Sequence, residues 1–416
     1  MKKRGLFLIL ALGLLGPEPA LATNGDSLIG VGPISRAMGG VGIAAPQDAI
    51  SAVFSNPAAM CFGAFCPSSQ VDFAGTVFMP NVNARITSGP QTFSSHSDPK
   101  VYPIPALGIS FNFPELPSWR FGFGAYGVSG MGVDYRDRAL DQPNFFGPGA
   151  PLASGTFTEL QLMKFAPTAA YKPTDWLSLG AALHIDYSTL DLGSGQGNNF
   201  GVGVQVGAII KPSQSLSFGL TYTSPQDIDY AKVADFDGNG RKDTLKLGSP
   251  HRLGLGVAYE PWPNKLLVEA NLKLLNWSNA TGYKDFDWRD QWVASAGVQY
   301  KPIPKLALRL GYNYGRNPVA NHDNFNGASL TSIQGKILPT YYFESFRIIG
   351  FPAIVEHHFT CGIGYDVTTR FSLNVGYMHA FANTMTEHGV NLAGQPASFQ
   401  SKMSENGVDF GFSWRF

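Results

Sequence analysis

Strict alternation of apolar and polar side chains is the feature that most constrains how this chain can fold. The clearest example is the segment 371–377, whose apolar members are Phe371, Leu373, Val375 and Tyr377. The same pattern recurs in the segments 177–186, 266–274 and 306–312. Alternation places successive side chains on opposite faces of a β-strand. A soluble β-sandwich has the same pattern, so alternation alone leaves open which face meets water.

A secretory signal peptide is predicted at residues 1–22. Basic residues at 2–4 precede an apolar run at 6–15 that ends at a glycine–proline pair, and the small-residue triplet 20–22 predicts cleavage after Ala22. A membrane-anchor helix is the alternative, but such a helix needs roughly 20 apolar residues. The apolar run is too short for that role.

Composition argues against nucleic acid as a partner and against a surface fully covered by water. Without residues 1–22 the chain has 30 − 3 = 27 Lys+Arg and 30 − 1 = 29 Asp+Glu, a net charge near −2, whereas phosphate binding needs a basic face. Charged residues make up only 14%, against roughly 25% in ordinary soluble domains. The mature sequence has no apolar stretch of membrane-helix length, so membrane insertion would require a closed barrel.

The spacing of turns predicts an all-β fold, a fourteen-stranded antiparallel transmembrane barrel. Six short turn signals alternate with longer polar loops, as expected for periplasmic turns and outer loops, and tyrosines recur near strand ends as in interfacial belts. The predicted strands are 69–79, 101–113, 120–129, 156–170, 176–188, 198–210, 216–224, 250–260, 265–275, 291–301, 305–315, 355–366, 370–381 and 402–416. The domain prediction is a signal peptide at 1–22, a plug or hatch at 23–67, and the barrel at 68–416.

The last predicted strand alternates aromatic with small or polar residues and ends at Phe416. This arrangement resembles the assembly signal that the barrel-assembly machinery of the outer membrane recognises. A soluble edge strand with this sequence is the alternative, but an exposed apolar edge would invite aggregation.

The segment 23–67 does not alternate, and it carries three short motifs in order. They are Ser35-Arg36-Ala37-Met38-Gly39-Gly40-Val41-Gly42, Gln47-Asp48-Ala49 and Ser55-Asn56-Pro57-Ala58-Ala59-Met60. These residues resemble the N-terminal hatch of the FadL/TodX (OmpP1) family of outer-membrane transporters for long-chain fatty acids and aromatic hydrocarbons, and Asn56-Pro57-Ala58 matches that family's hatch motif. The barrel segments 222–225, 276–278, 288–292 and 309–312 are also similar to family segments.

The resemblance implies passive uptake of a hydrophobic small molecule by a non-enzymatic channel in the bacterial outer membrane. It assigns Arg36, Gly39, Gly40, Asn56, Pro57 and Ala58 to the hatch and its gating. It also implies capture at the outer loops, a lumen site, and lateral exit through the wall beside an inward-kinked third strand, where Gly122, Gly124 and Gly127 lie. Glycine weakens strand pairing, although the same glycines could simply relieve crowding inside the barrel. The expected surroundings are lipid and lipopolysaccharide, and the expected state is a monomer.

Two other functions are alternatives. A general porin would conduct polar solutes, but a hatch argues against an open pore. A lipase-type enzyme would need a Ser/His pair on the barrel exterior, and no such motif stands out. One departure from the family concerns gating, because the mature sequence begins with the polar residues 23–27 rather than with an apolar tip.

A possible calcium loop and a cysteine pair complete the candidates. Oxygen ligands at Asp235, Asp237, Asn239 and Asp243 have the spacing of a Ca²⁺ loop, but Lys246 stands where an EF-hand has its bidentate glutamate. A plain solvated loop is the alternative, and no cofactor is otherwise required. Cys61 and Cys66 flank a short loop and could form a disulfide, with a metal or redox site as the alternative.

Overall fold

The computed structural model describes residues 23–60 and 69–416. The predicted signal peptide and both Cys61 and Cys66 lie outside the described residues. In the part of the chain that is described, no helix is both long enough and apolar enough to cross a membrane.

The described residues form 22 strands and three short α-helices. In chain order the strands are β1 (Thr23–Asn24), β2 (Ser27–Leu28), β3 (Gln70–Ser88), β4 (Gln91–His96), β5 (Tyr102–Phe111), β6 (Trp119–Asp134), β7 (Phe157–Thr174), β8 (Leu177–Asp191), β9 (Gln196–Ser213), β10 (Leu216–Thr223), β11 (Gln226–Ala234), β12 (Asp243–Ser249), β13 (Arg252–Trp262), β14 (Leu266–Leu275), β15 (Gln291–Ile303), β16 (Leu306–Gly315), β17 (Phe325–Asn326), β18 (Leu330–Ile333), β19 (Lys336–Pro339), β20 (His357–Asp366), β21 (Phe371–Val390) and β22 (Pro396–Arg415). The helices are α1 (Pro33–Ala37), α2 (Ala49–Ser55) and α3 (Thr340–Ser345), with 3-10 turns at Pro57–Ala59 and Trp277–Asn279 and a π-helical turn at Phe346–Gly350.

Fourteen of these strands form a closed antiparallel barrel, and the predicted strand count is therefore confirmed. The barrel strands are β3, β5 to β10, β13 to β16 and β20 to β22, each paired with the next. The last strand, β22, closes the ring on β3, from Ala397↔Ser88 to Arg415↔Gln70. Closure removes the exposed sheet edges that an open sheet would present.

The two faces of the wall decide between a barrel and a soluble sandwich. On β21 the apolar side chains of Leu373, Val375 and Tyr377 point outward and are exposed, whereas Ser372 and Asn374 point inward and are buried. A soluble sandwich buries its apolar face. An apolar exterior around a polar interior is the arrangement of a barrel that sits in lipid.

Several strands extend beyond their predicted ends and form the outer part of the molecule. The strand predicted at 370–381 is β21, which runs on to Val390, and β22 begins at Pro396 rather than at 402. Three further elements are not part of the barrel sheet, namely the hairpins β11–β12 and β18–β19 and helix α3. Together with the long loops they bury an aromatic cluster of Phe286, Phe343, Phe346 and Phe351.

Residues 23–60 form the hatch, which lies inside the barrel. Helix α1 packs against β16, β20, β21 and β22, α2 packs against β3, β5 and β6, and the 3-10 turn at Pro57–Ala59 packs against β7, β8 and β9. Contacts therefore reach the wall on several sides. Within the hatch only Ala45 and Phe54 are partly exposed, so this segment fills the cross-section of the barrel.

Candidate functional site

Helix α1 is tied to the wall by a buried ion pair. The Arg36 guanidinium is 1% exposed, and its Nη1 lies 3.4 Å from Oδ1 of Asp409 on β22. Its Nε and Nη2 donate hydrogen bonds to the Gly30 carbonyl at 3.3 and 3.1 Å. Thr76 on β3 also donates to Asp409, at 2.5 Å. Arg36 thus joins the hatch to β22, and Asp409 in turn links it to β3 through Thr76.

Gly39 and Gly40 form a turn that only glycine fits. Both have left-handed backbone angles, φ +74° and +76°, which residues with a Cβ rarely adopt. A Cβ on Gly39 would lie 2.6 Å from the Tyr312 carbonyl oxygen, and a Cβ on Gly40 would lie 2.0 Å from the Ile29 carbonyl oxygen. Gly39 therefore lets the hatch backbone contact strand β16 directly, and Gly40 lets two segments of the hatch backbone pack against each other.

The Asn56-Pro57-Ala58 motif fastens the hatch to the opposite wall. The fully buried Asn56 amide donates to the carbonyls of Ile43, Ala208 and Leu220 at 2.9, 3.2 and 3.3 Å. The Asn56 Oδ1 accepts the Ala58 N–H at 3.0 Å and so starts the 3-10 turn that Pro57 begins. This one side chain links two parts of the hatch to β9 and β10.

The first residues of the hatch form a small hairpin, residues 23–28, which we call the tip. Several of its polar groups have partners in the lumen. The Asp26 carboxylate accepts from the Tyr283 hydroxyl, Ser27 accepts from Arg252 at 2.8 Å, and the Thr23 carbonyl lies 3.2 Å from Nε2 of His358. Polar residues at this position are therefore compatible with insertion into the barrel.

The wall is interrupted beside the tip, between β5 and β6. Pairing of these strands runs from Phe111↔Phe121 to Ala106↔Tyr126 and stops there. Residues 102–105 remain paired with β3 on their other side. Pro103 and Pro105 have no N–H to donate, so this end of β5 offers fewer donors to its neighbouring strands.

The opposite edge of this wall gap is the stretch 127–133 of β6, which spans roughly 20 Å at about 3.3 Å per residue. A β-bulge at Val128 shifts its register with β7 and bends the strand. The tip covers part of the free edge, since Ser27 pairs with Ser129 and the Gly130 N–H donates to the Asp26 carbonyl at 3.1 Å. The gap is therefore bordered by β5, β6 and the hatch.

The glycines predicted for lateral exit lie in two different environments. Gly122 and Gly124 are paired with β5, and a Cβ on them would meet Met60 and Val53 of the hatch at 2.6 and 2.9 Å. They serve close packing of the hatch, away from the gap. Of the three, Gly127 alone borders the gap, where its missing side chain leaves room for Ile104 from across the opening.

An apolar cavity of about 480 Å³ lies at the gap, and we call it the lateral cavity. Both edges of the gap line it, together with the tip and residues of β3, β7 and β22. Its volume is in the range of small-molecule binding sites, roughly 300–1,000 Å³. Sequence reasoning missed the β5 side of this site, although the alternate prolines 103 and 105 in a predicted strand were a signal for it.

The predicted calcium ligands converge on a lysine. Carboxylate oxygens of Asp235, Asp237 and Asp243 lie within 4.8 Å of one another, and Asn239 donates its backbone N–H to Asp235 at 3.1 Å. The Lys336 ammonium lies 2.6 Å from Asp243 and 3.9 Å from Asp237. A calcium ion would have to compete with this side chain for the same carboxylates.

A closed barrel with an apolar exterior, filled by an N-terminal hatch, defines this protein as a plugged β-barrel of the outer-membrane type. Residues 188–326 match the family model described as "Outer membrane protein transport protein (OMPP1/FadL/TodX)". Among curated protein sequences, none matches this chain significantly. The resemblance to the FadL/TodX family is confirmed, and it is a family of transport proteins rather than of enzymes.

Solved structures share the fold over almost the whole chain. The Pseudomonas putida toluene transporter TodX is 18% identical, with a TM-score of 0.66 over 95% of this chain and 100% of that chain. A Pseudomonas aeruginosa FadL homologue is 14% identical, with a TM-score of 0.64 over 96% and 100%. The Ralstonia pickettii toluene transporter TbuX is 17% identical, with a TM-score of 0.59 over 93% and 98%. At these identities the likeness establishes the fold.

Proposed function

We propose that this protein is a passive channel that carries hydrophobic small molecules, such as long-chain fatty acids or aromatic hydrocarbons, across the outer membrane. Capture occurs at the outer loops, the lateral cavity holds the molecule, and exit occurs sideways through the gap beside β6. The observation that carries the proposal is the juxtaposition of an unpaired wall segment and an apolar cavity. The toluene transporters TodX and TbuX share the fold.

Physical chemistry favours the lateral route over an axial one. The hatch is almost completely buried in the lumen and is bonded to several strands, so it blocks a straight path. An apolar molecule leaving along the axis would re-enter water at a cost of about 25 cal/mol per Å² of apolar surface. Exit through the wall leads from an apolar cavity directly into lipid. A general porin would instead require an open axial path for polar solutes.

The channel needs no partner strand, because its ring of strands is closed. We therefore infer that it works as a monomer surrounded by outer-membrane lipid and lipopolysaccharide. Polar saccharide slows the diffusion of apolar molecules, so a protein path around that layer raises their flux without an energy source.

A disulfide across the gap tests lateral exit. An ideal Cβ at position 127 would lie 3.8 Å from the Cβ of Ile104, within the roughly 3.5–4.5 Å that disulfides require. In cells that express Ile104→Cys/Gly127→Cys, oxidation should lower uptake of radiolabelled toluene or of a long-chain fatty acid by about tenfold, because the link keeps the two edges together. Reduction should restore uptake in the same cells.

Each single cysteine variant is the matched control and should respond to neither oxidant nor reductant. Mass spectrometry confirms the intended link, and heat-modifiable migration on gels confirms a folded barrel. If the linked protein took up substrate as fast as its reduced form, exit through this gap would be excluded.

A further inference from the structure

Strands β3, β21 and β22 are longer than a membrane crossing requires. A transmembrane β-strand needs about 9–11 residues, whereas these strands have 19, 20 and 20 residues. Their outer parts, residues 81–88, 383–390 and 396–404, therefore continue beyond the lipid-facing wall, and β4 pairs with β3 there. We call this four-stranded extension the outer sheet.

The exterior face of the outer sheet can be assigned because the pairing of β22 with β3 runs without a register shift. On β22 the exposed Phe410 faces lipid, and alternation places the exposed Lys402 on the same face. On β3 the exposed Val77 faces lipid, and Arg85 lies on the same face. The same strands therefore change from an apolar exterior to a polar one along their length.

This polar exterior carries no acidic side chain at any of its described positions. Its outward residues are asparagine, glutamine, serine, threonine, histidine, arginine and lysine. Two acids lie at its margins, and both have partners within the protein. Asp323 lies 3.1 Å from the His388 ring, and Asp98 is paired with Arg138. The exterior of the outer sheet therefore has a net positive charge.

Arg85 and Lys402 supply that charge from neighbouring positions. Arg85 lies opposite Gln400 and Lys402 lies opposite Asn83, so the two cations are diagonal neighbours, roughly 7–8 Å apart. Arg85 donates a hydrogen bond from Nε to Ser94 at 3.2 Å, and neither cation forms an ion pair with another described residue. Two like charges at this spacing repel each other, and an anion between them would remove the repulsion.

The outer ends of β6 and β7 provide a contrast within the same barrel. There Lys100 lies 3.4 Å from both Asp134 and Glu159, and Arg136 lies 2.7 Å from Asp134. The protein itself supplies the counterions for these cations. On the outer sheet the counterions have to come from outside the protein.

We propose that the outer sheet binds the phosphorylated saccharide headgroup of lipopolysaccharide, with one phosphate held between Arg85 and Lys402. Guanidinium and ammonium groups are strong donors to phosphate oxygens, and the hydroxyl and amide side chains of the same face are partners for sugar hydroxyls. The outer sheet begins where the lipid-facing wall ends, which is the height at which the phosphates of this lipid lie. The inference goes beyond the proposed function, because it gives one side of the barrel a specific lipid site.

Native mass spectrometry of the purified full-length protein in detergent tests this inference with three lipids. They are lipid A with both phosphates, lipid A with both phosphates removed, and phosphatidylglycerol. The wild type should bind bisphosphorylated lipid A roughly tenfold more tightly than either other lipid, because it alone combines phosphates with a saccharide. Arg85→Gln/Lys402→Gln should weaken that binding about 25-fold, since each basic side chain near an anionic lipid surface contributes about fivefold.

The matched control is Arg241→Gln/Lys284→Gln, which removes one arginine and one lysine from exposed loops outside the outer sheet and should bind lipid A like the wild type. Heat-modifiable migration on gels checks the folding of each variant. If the double variant fails to fold, Arg85→Gln and Lys402→Gln singly carry the test, each with an expected loss of about fivefold.

Three results would overturn the inference: wild-type affinity in the outer-sheet variants, an equal loss in the matched control, or equally tight binding of phosphate-free lipid A. Equally tight binding of phosphatidylglycerol would overturn the assignment to lipopolysaccharide, because any phosphate-bearing lipid would then fill the site.

Discussion

Replacing Glu269 by alanine should release one segment of the hatch while leaving the rest of the hatch in the barrel. Glu269 lies on β14, is fully buried, and points into the lumen. Its Oε1 accepts the N–H groups of Gly42 and Ala44, at 3.0 and 2.9 Å. Alanine would leave both donors buried without this acceptor.

The structure sets the expected size of the effect. Leaving a buried donor without its partner costs about 1–3 kcal/mol, so two such donors cost about 2–6 kcal/mol. Because about 1.4 kcal/mol corresponds to a factor of ten, detachment of this segment should become roughly 10 to 10⁴ times more frequent. Asn56 and Ser217 still bind the neighbouring carbonyls of Ile43 and Ala44, at 2.9 and 3.2 Å, so detachment should stay local.

Conductance of the purified protein in planar bilayers measures this detachment. The wild type should show very low ion conductance, and Glu269→Ala should show brief openings, because a displaced hatch segment admits water and ions. Glu269→Gln keeps an acceptor oxygen and is the matched control, expected to behave like the wild type. A large steady conductance in the wild type would identify a general porin. An alanine variant with ion conductance as low as that of the wild type would refute the role given to Glu269.

Two further predictions concern the outer loops. The hydrogen bond from His322 to Glu344 (2.8 Å) is the main cause of a raised His322 pKa, and Asp287 also contacts the ring at 2.7 Å. Protonated His322 therefore stabilises the folded outer loops, and this contribution should be fully present below the unfolded pKa of about 6.5 and lost as pH rises through the folded pKa. Proteolysis of the outer loops should accordingly increase with pH in the wild type but not in His322→Gln. Calcium should not raise the thermal stability of the wild type, because Lys336 already contacts the carboxylates that would bind the ion. Lys336→Gln should gain calcium-dependent thermal stability, and adding Asp237→Ala to that variant should remove the gain. Stabilisation of the wild type by calcium would contradict this.

The barrel wall could be predicted from the sequence because lipid imposes one rule on every strand. The strand predicted at 176–188 is β8, Leu177–Asp191, with its apolar side chains outward as alternation requires. Beyond the lipid-facing wall that rule no longer applies, because the hairpin β11–β12 also alternates but buries its apolar side chains, such as Ile228 and Leu245, inside the protein. The predicted barrel strands therefore did not include this hairpin or the extension of β21 to Val390.

The lateral site could be predicted only in part, because a break in a sheet is a property of two strands. Glycine content drew attention to β6, but Gly122 and Gly124 face the hatch and only Gly127 borders the gap. The stronger local signal was in the preceding strand, where Pro103 and Pro105 remove two donors. Which glycine packs against the hatch and which borders the gap depends on contacts with residues far away in sequence, so the local sequence does not show it.

The position of the tip explains why a polar first segment of the hatch can serve this barrel. An unpaired edge such as the stretch 127–133 of β6 exposes N–H and C=O groups that would be costly in an apolar setting. The tip supplies backbone partners there through Ser27 and the Asp26 carbonyl, and its side chains bind polar groups of the lumen. Thr23 meanwhile lines the lateral cavity beside Glu405. One short hairpin therefore covers the free edge of β6 and borders the lateral cavity. A molecule that displaces this hairpin would expose the edge and reshape the cavity at the same time.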